Sequence, residues 1–226
     1  MTSVWSSLVP LILGGALVPI PILITLLSLR SSAGKLAGVG YVLGMTTVRL
    51  AQGALFGLVW SRSSSASTGK SGATTWVAVV LLVTGVVLLV SAAKSYLHGA
   101  DPDAPPPKWL SMIATMGPGK AFGLGAGMLL VQVKFWIFTL GAISVIGAAN
   151  MGQPSASLTF LVFVVATESV SIAAIVYAYA APRQSEKLLG NWVHWLEQHN
   201  RQILIVVGFV FGVWFSIKGL VGLGVL

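Results

Sequence analysis

The chain has 226 residues, of which 56% are hydrophobic and 8% charged, with a formal net charge of +8. So little polar surface excludes a water-soluble globule of this size, and the absence of cysteine excludes disulfides, thiolate metal sites and thiol-pair electron transfer. The basic residues are scattered through the joints between apolar runs instead of forming a block or stripe, which argues against a nucleic-acid partner.

A helix needs roughly 20 mainly apolar residues to cross a hydrocarbon core about 30 Å thick. Runs of that length fall at 5–29, 36–60, 75–97, 121–148, 156–181 and 201–225. The expected fold class is therefore all-α integral membrane with six transmembrane helices. No Lys or Arg precedes the first run, which is longer than a signal-peptide core and reads as a retained helix. Pro19 and Pro21 lie near its middle; each deletes a backbone donor, so a bend or break is expected there. After the joint from Arg30 to Lys35, the second run carries Arg49 near its centre. A Ser-rich joint, Ser61 to Gly72, leads to the third run. The link at 99–119, with Asp101, Pro102, Asp103, Pro105, Pro106 and Pro107, is long enough to divide the chain into halves 1–98 and 120–226.

The fourth run opens on Gly117-Pro118-Gly119-Lys120 with Gly123, Gly125 and Gly127, which together with Gly40/Gly44, Gly53/Gly57 and Gly208/Gly212 are expected to be packing positions. It carries Gln132 and Lys134 near its centre, and the fifth run carries Glu168. Between them and the sixth run, residues 183–200 place Leu188, Leu189, Trp192, Trp195 and Leu196 at helical spacing, which reads as an amphipathic interfacial connector.

Arg30, Lys35, Lys94, Lys108, Lys120, Arg183, Lys187 and Arg201 fall in the odd-numbered joints, against mainly Arg62 and Lys70 on the other side. That bias puts the odd joints in the cytoplasm and both termini outside a multi-pass protein of the inner (plasma) membrane. Three spans on each side of the central link give the halves opposite orientations, the condition for a 3+3 inverted repeat. A faint internal match lays Leu17-Val18-Pro19-Ile20-Pro21 over Leu130-Val131-Gln132-Val133-Lys134.

A charge at the bilayer centre costs about 2.5–3.5 kcal/mol on insertion scales, so Arg49, Lys134 and Glu168 are expected to face the bundle interior or a wet cavity. One reading is a structural ion pair that locks helices together. The other assigns substrate binding to Arg49, Lys134 and Gln132, because two cations face one acid and an oxyanion group would supply the missing charge. Glu168 then serves as gate or proton-coupling group. His98, His194 and His199 form no metal-binding pattern, and no nucleophile or paired acids converge, so no metal, cofactor or enzymatic activity is expected.

The pattern resembles the GAP family, the glycolipid- or sulfolipid-addressing membrane proteins, within the LysE-type exporter superfamily. The resemblance rests on the six runs, the extended central link, the opening Leu17-Val18-Pro19-Ile20-Pro21-Ile22, and Pro118-Gly119-Lys120-Ala121-Phe122-Gly123-Leu124-Gly125 in the second half. That family's halves begin with Asp-Pro and Asn-Pro-Lys motifs. Pro19 and Lys134 fit them, whereas Val18, Gln132 and Val133 depart. The resemblance implies export or flipping of an anionic lipid or glycolipid toward the cell envelope, with membrane lipids as partners. Its relatives imply an alternative, efflux of an amino acid or small metabolite. A third reading is a noncatalytic subunit of a lipid-export assembly, and a homodimer or an envelope-assembly partner suits so small a bundle.

Overall fold

In the computed structural model, which describes residues 2–31, 33–66, 70–97, 112–113 and 115–225, the first apolar run breaks where its prolines predict. Pro19 and Pro21 have no N–H for the carbonyls of Gly15 and Leu17. Helix α1 (Thr2–Ala16) therefore stops, Val18 is extended (φ −64°, ψ 119°), and α2 (Pro19–Leu29) starts with Pro19 in its first turn. The two pieces are bent by 51°. Gly34, at φ 56°, turns the chain into α3 (Lys35–Ala66).

Helix α3 continues through much of the joint expected from Ser61 onward, and α4 (Lys70–Leu97) begins before that joint was expected to end. Serine is tolerated near a helix end, so loss of the apolar pattern did not mark the boundary. The link from His98 through Pro107, with Asp101 and Asp103, lies outside the described residues, as does Lys108.

The fourth run is also two helices, α5 (Pro118–Val131) and α6 (Val133–Ala148), bent by 71°. The fifth is α7 (Ser155–Thr167) and α8 (Ser169–Ala180), bent by 62°. The connector and the sixth run form one continuous helix, α9 (Pro182–Gly222) of 41 residues. Among the described residues, Ala78–Leu97 and Arg201–Gly222 are each long and apolar enough to cross a membrane; counting every bent pair as one span raises this to 5. Helix α3 carries Thr46, Thr47, Arg49 and Gln52 within its apolar run. Its 32 residues reach about 48 Å, more than a hydrocarbon core.

Two close helix pairs hold the bundle. On α4 and α9, a Cβ at Gly85 would lie 2.7 Å from the Gly212 carbonyl, so the backbones approach as only glycine permits. At the end of that pair Arg201 donates from Nε to Ser95 O (2.8 Å) and from Nη2 to Tyr96 O (3.0 Å), satisfying carbonyls in the last turn of α4. On α3 and α5, Gly44 lies against the backbone of Phe122, and Gly125 against that of Tyr41. Gly57, Gly123 and Gly127, expected to pack, meet nothing within 4 Å among the described atoms.

The core is aromatic: Tyr41, Phe135, Phe138, Phe163 and Phe215 are fully buried, with Phe138 and Phe215 edge to face at 6.5 Å. A second cluster joins Ile22, Leu23 and Leu26 of α2 to Leu189, Val193 and Leu196 of α9. Leu50, Leu55, Val86, Val90, Val165, Phe209 and Val210 point outward and exposed, an arrangement that suits hydrocarbon as solvent.

Candidate functional site

Two of the helix breaks adjoin. A Cβ added to Gly15, at the end of α1, would meet Thr167 Cγ2 at 2.6 Å, and Thr167 is the last residue of α7. Beyond the breaks the second halves of the same spans stay in contact: Thr25 of α2 donates its hydroxyl to Pro21 O (2.9 Å) and lies 3.1 Å from Ser171 Oγ of α8.

Glu168 stands at this junction, between α7 and α8, at φ −97° and ψ 4°. Arg49 on the unbroken α3 faces it, with Nε 3.4 Å from Glu168 Oε1, and both side chains are 3% exposed. The other carboxylate oxygen accepts a hydrogen bond from Thr46 Oγ1, one turn before Arg49 on the same helix.

Charge attraction at that separation is strong in a low dielectric, but the hydrogen-bonding capacity is largely unspent. Among the described residues Arg49 Nε and Nη1 and Glu168 Oε1 make no hydrogen bond; the Nε–H is near the oxygen without being aimed at it. Gln52, one turn further along α3, is also buried, and neither its amide oxygen nor its nitrogen has a partner among the described residues. Buried polar groups are satisfied in the great majority of cases. Here an arginine fork and a carboxamide side by side keep several donors available for an oxyanion.

Of the residues singled out by sequence, Arg49 and Glu168 are brought together, and Pro19 and Pro21 are buried at the adjoining break. Gln132 forms the α5–α6 break itself, extended at φ −85° and ψ 106° and half-buried. Lys134 lies in the first turn of α6, and its side chain lies outside the described part of the structure. Trp136, one turn after the Gln132 break, packs edge to face on Phe56 at 5.9 Å. Phe56 is two turns beyond Arg49, so this break meets a different part of α3 from the ion pair. Trp136 also donates its indole N–H to Leu130 O (2.9 Å), a carbonyl the interrupted helix leaves exposed.

Sequence reasoning did not bring Thr46 and Gln52 to the site beside Arg49. Their spacing of three from that arginine, on either side, was the available signal. The double break was not read: only its first-helix member carries proline.

Apolar helices, several of them broken, around a buried and incompletely bonded ion pair define a helical membrane protein with a polar interior site. The family model SfLAP, described as Sap, sulfolipid-1-addressing protein, matches residues 8–221. The chain belongs to that family, in agreement with the resemblance read from its sequence. No curated protein and no solved structure matches it.

Proposed function

We propose that the chain is an exporter or flippase-like translocator that moves an anionic lipid or glycolipid across the plasma membrane toward the envelope. The observation that carries this reading is the Arg49–Gln52 donor set, buried beside Glu168 at adjoining helix breaks with its hydrogen bonds unspent. A sulfate or phosphate headgroup has the forked oxygens that a guanidinium recognises. The family description, which names a sulfolipid, supports that headgroup chemistry.

In this mechanism Glu168 occupies Arg49 when the site is empty and yields it when the headgroup enters. Arg49 rides on an unbroken helix and Glu168 on a break, so the carboxylate is the group that moves. Six spans arranged as a 3+3 inverted repeat, with α3 as the second span and both termini outside, complete the reading. The break at Gln132 occupies the position that the internal sequence match pairs with Pro19, which supports the repeat. Lys134 and Gln132 would then form a second polar station at the other half's break, and the protein acts as a carrier without catalysis or cofactor.

The test is mass spectrometry of surface-exposed and total lipids from cells lacking the protein, complemented with wild type, Arg49→Lys or Arg49→Gln. The expected result is one anionic lipid that is made but fails to reach the surface, restored by wild type and not by Arg49→Gln at equal protein level. Normal distribution of every lipid overturns lipid export and directs the search to small-metabolite efflux.

A further inference from the structure

Residues of the two adjoining breaks also border a pocket. Leu17 and Val170 line a space of about 800 Å³ that runs along α9. Its other walls are Ile22 of α2 and Trp192, Trp195, Ile203 and Val207 of α9. From Asn191 to Val207 it follows about 24 Å of helix, longer than the ~15 Å depth of one leaflet's acyl chains.

The lining is apolar except at one end, where Asn191 stands. Arg30, exposed at the end of α2, reaches that same end: its Nη1 lies 3.6 Å from where a Cβ on Gly190 would be. Among the described side chains no carboxylate pairs with it. Trp192 and Trp195 flank the opening with half of their surface free, 50% and 53%. Tryptophan takes such positions where a hydrocarbon phase meets polar headgroups.

These features choose among occupants. Water does not fill an apolar space that offers it no partners. An extended peptide segment would leave its backbone groups unsatisfied against these walls. A hydrocarbon chain needs only the apolar wall, and a cation at the polar end selects a negatively charged headgroup over a zwitterionic one.

We propose that this groove holds one anionic membrane lipid, its acyl chain along α9 between α2 and α8 and its headgroup against Arg30 and Asn191. The inner end of the groove lies at Leu17 and Val170, and Val170 is two residues from Glu168. The lipid tail thus packs against the segments that must move if the carboxylate swings. The site stands apart from the transport reading, because a lipid held there in passage or as a fixed component makes the same contacts.

The test uses the full chain in neutral phosphatidylcholine vesicles doped with brominated-chain phosphatidylglycerol or, separately, brominated-chain phosphatidylcholine, with quenching of tryptophan fluorescence as readout. The anionic probe is expected to half-saturate at a mole fraction about fivefold lower than the neutral one. Arg30→Gln, a change in an exposed turn, is expected to bring the two curves together. The paired change Trp192→Phe with Trp195→Phe is expected to remove the high-affinity component. Identical curves for the two probes in the wild type, or a preference that survives Arg30→Gln, overturns the proposal. Quenching that is insensitive to headgroup and rises on dilution of protein in the bilayer assigns the groove to a second copy of the chain instead, which also overturns it. Loss of export in an Arg49 variant with unchanged quenching separates this site from the transport site.

Discussion

The halves of the chain bend their opening spans by different chemistry. In the first, the bend between α1 and α2 sits on Pro19 and Pro21, which have no donor to give. In the second, the bends sit on Gln132 and Glu168, whose N–H groups are present and used, donating to Met128 O (3.1 Å) and Val164 O (3.2 Å). A proline bend is a property of the local covalent chain. The other two are held by side chains: Trp136 on the Leu130 carbonyl of its own span, and Arg49 with Thr46, from another helix, on the Glu168 carboxylate. The first half is bent by subtraction and the second by attachment, so the second is the one whose geometry an arriving ligand can change.

Removing attachments should therefore disturb the second half more than removing prolines disturbs the first. The largest expected effect is that of Arg49→Ala, which leaves Glu168 buried without its cation and should lower stability by about 3–5 kcal/mol. The paired change Arg49→Ala with Glu168→Ala should recover much of that loss. Thermal unfolding in detergent checks both, and an equal loss in single and double variants would show that the pair does not hold the break.

A smaller effect is expected from Thr46→Val, which removes a hydrogen bond to a charged group worth about 1.5–3 kcal/mol. It should also loosen the α7–α8 angle, read as a broadened spin-label distance between the outer ends of those helices. The smallest belongs to the first half: Pro19→Ala with Pro21→Ala restores two donors, and straightening a 51° bend lengthens the α1–α2 span by about 3 Å. The same spin-label measurement should find it with little change in melting temperature. If the proline variant instead melts far below the wild type, the first-half bend is also held by tertiary contact, and the contrast between the halves fails.

Much of the site could be read from sequence, because an ionisable residue inside a long apolar run is costly unless paired. On that ground Arg49, Lys134 and Glu168 were placed in the bundle interior without choosing which cation meets the carboxylate, and Pro19 and Pro21 announced their break. The breaks at Gln132 and Glu168 were not legible, since neither carries a helix-breaking residue and both are held by side-chain contacts. The continuity of α9 was missed because the polarity of residues 183–200 suggested a separate segment, whereas Glu, Lys, Gln and Arg are good helix formers wherever they lie. The groove was hidden in the same stretch. Leu188, Trp192, Trp195 and His199 form one stripe, and Leu189, Val193 and Leu196 another, each at helical spacing. Read as one apolar face they imply a single contact. In the structure the second stripe packs on α2 while Trp192 and Trp195 stay exposed to form the groove wall.

Helix α9 is clamped at both ends by contacts of unlike kind: Gly208, Gly212 and Gly219 seat it against α4, and Leu189, Val193 and Leu196 seat it against α2. Between those seats it is one uninterrupted helix, so their rotational phase about its axis is set by residue count alone. One residue added near position 200 would turn one seat by about 100° relative to the other, swinging the tryptophans off the groove while the α4 contact stays in register. The length of this helix is thus a timing element: it keys the groove wall to the glycine seam with α4.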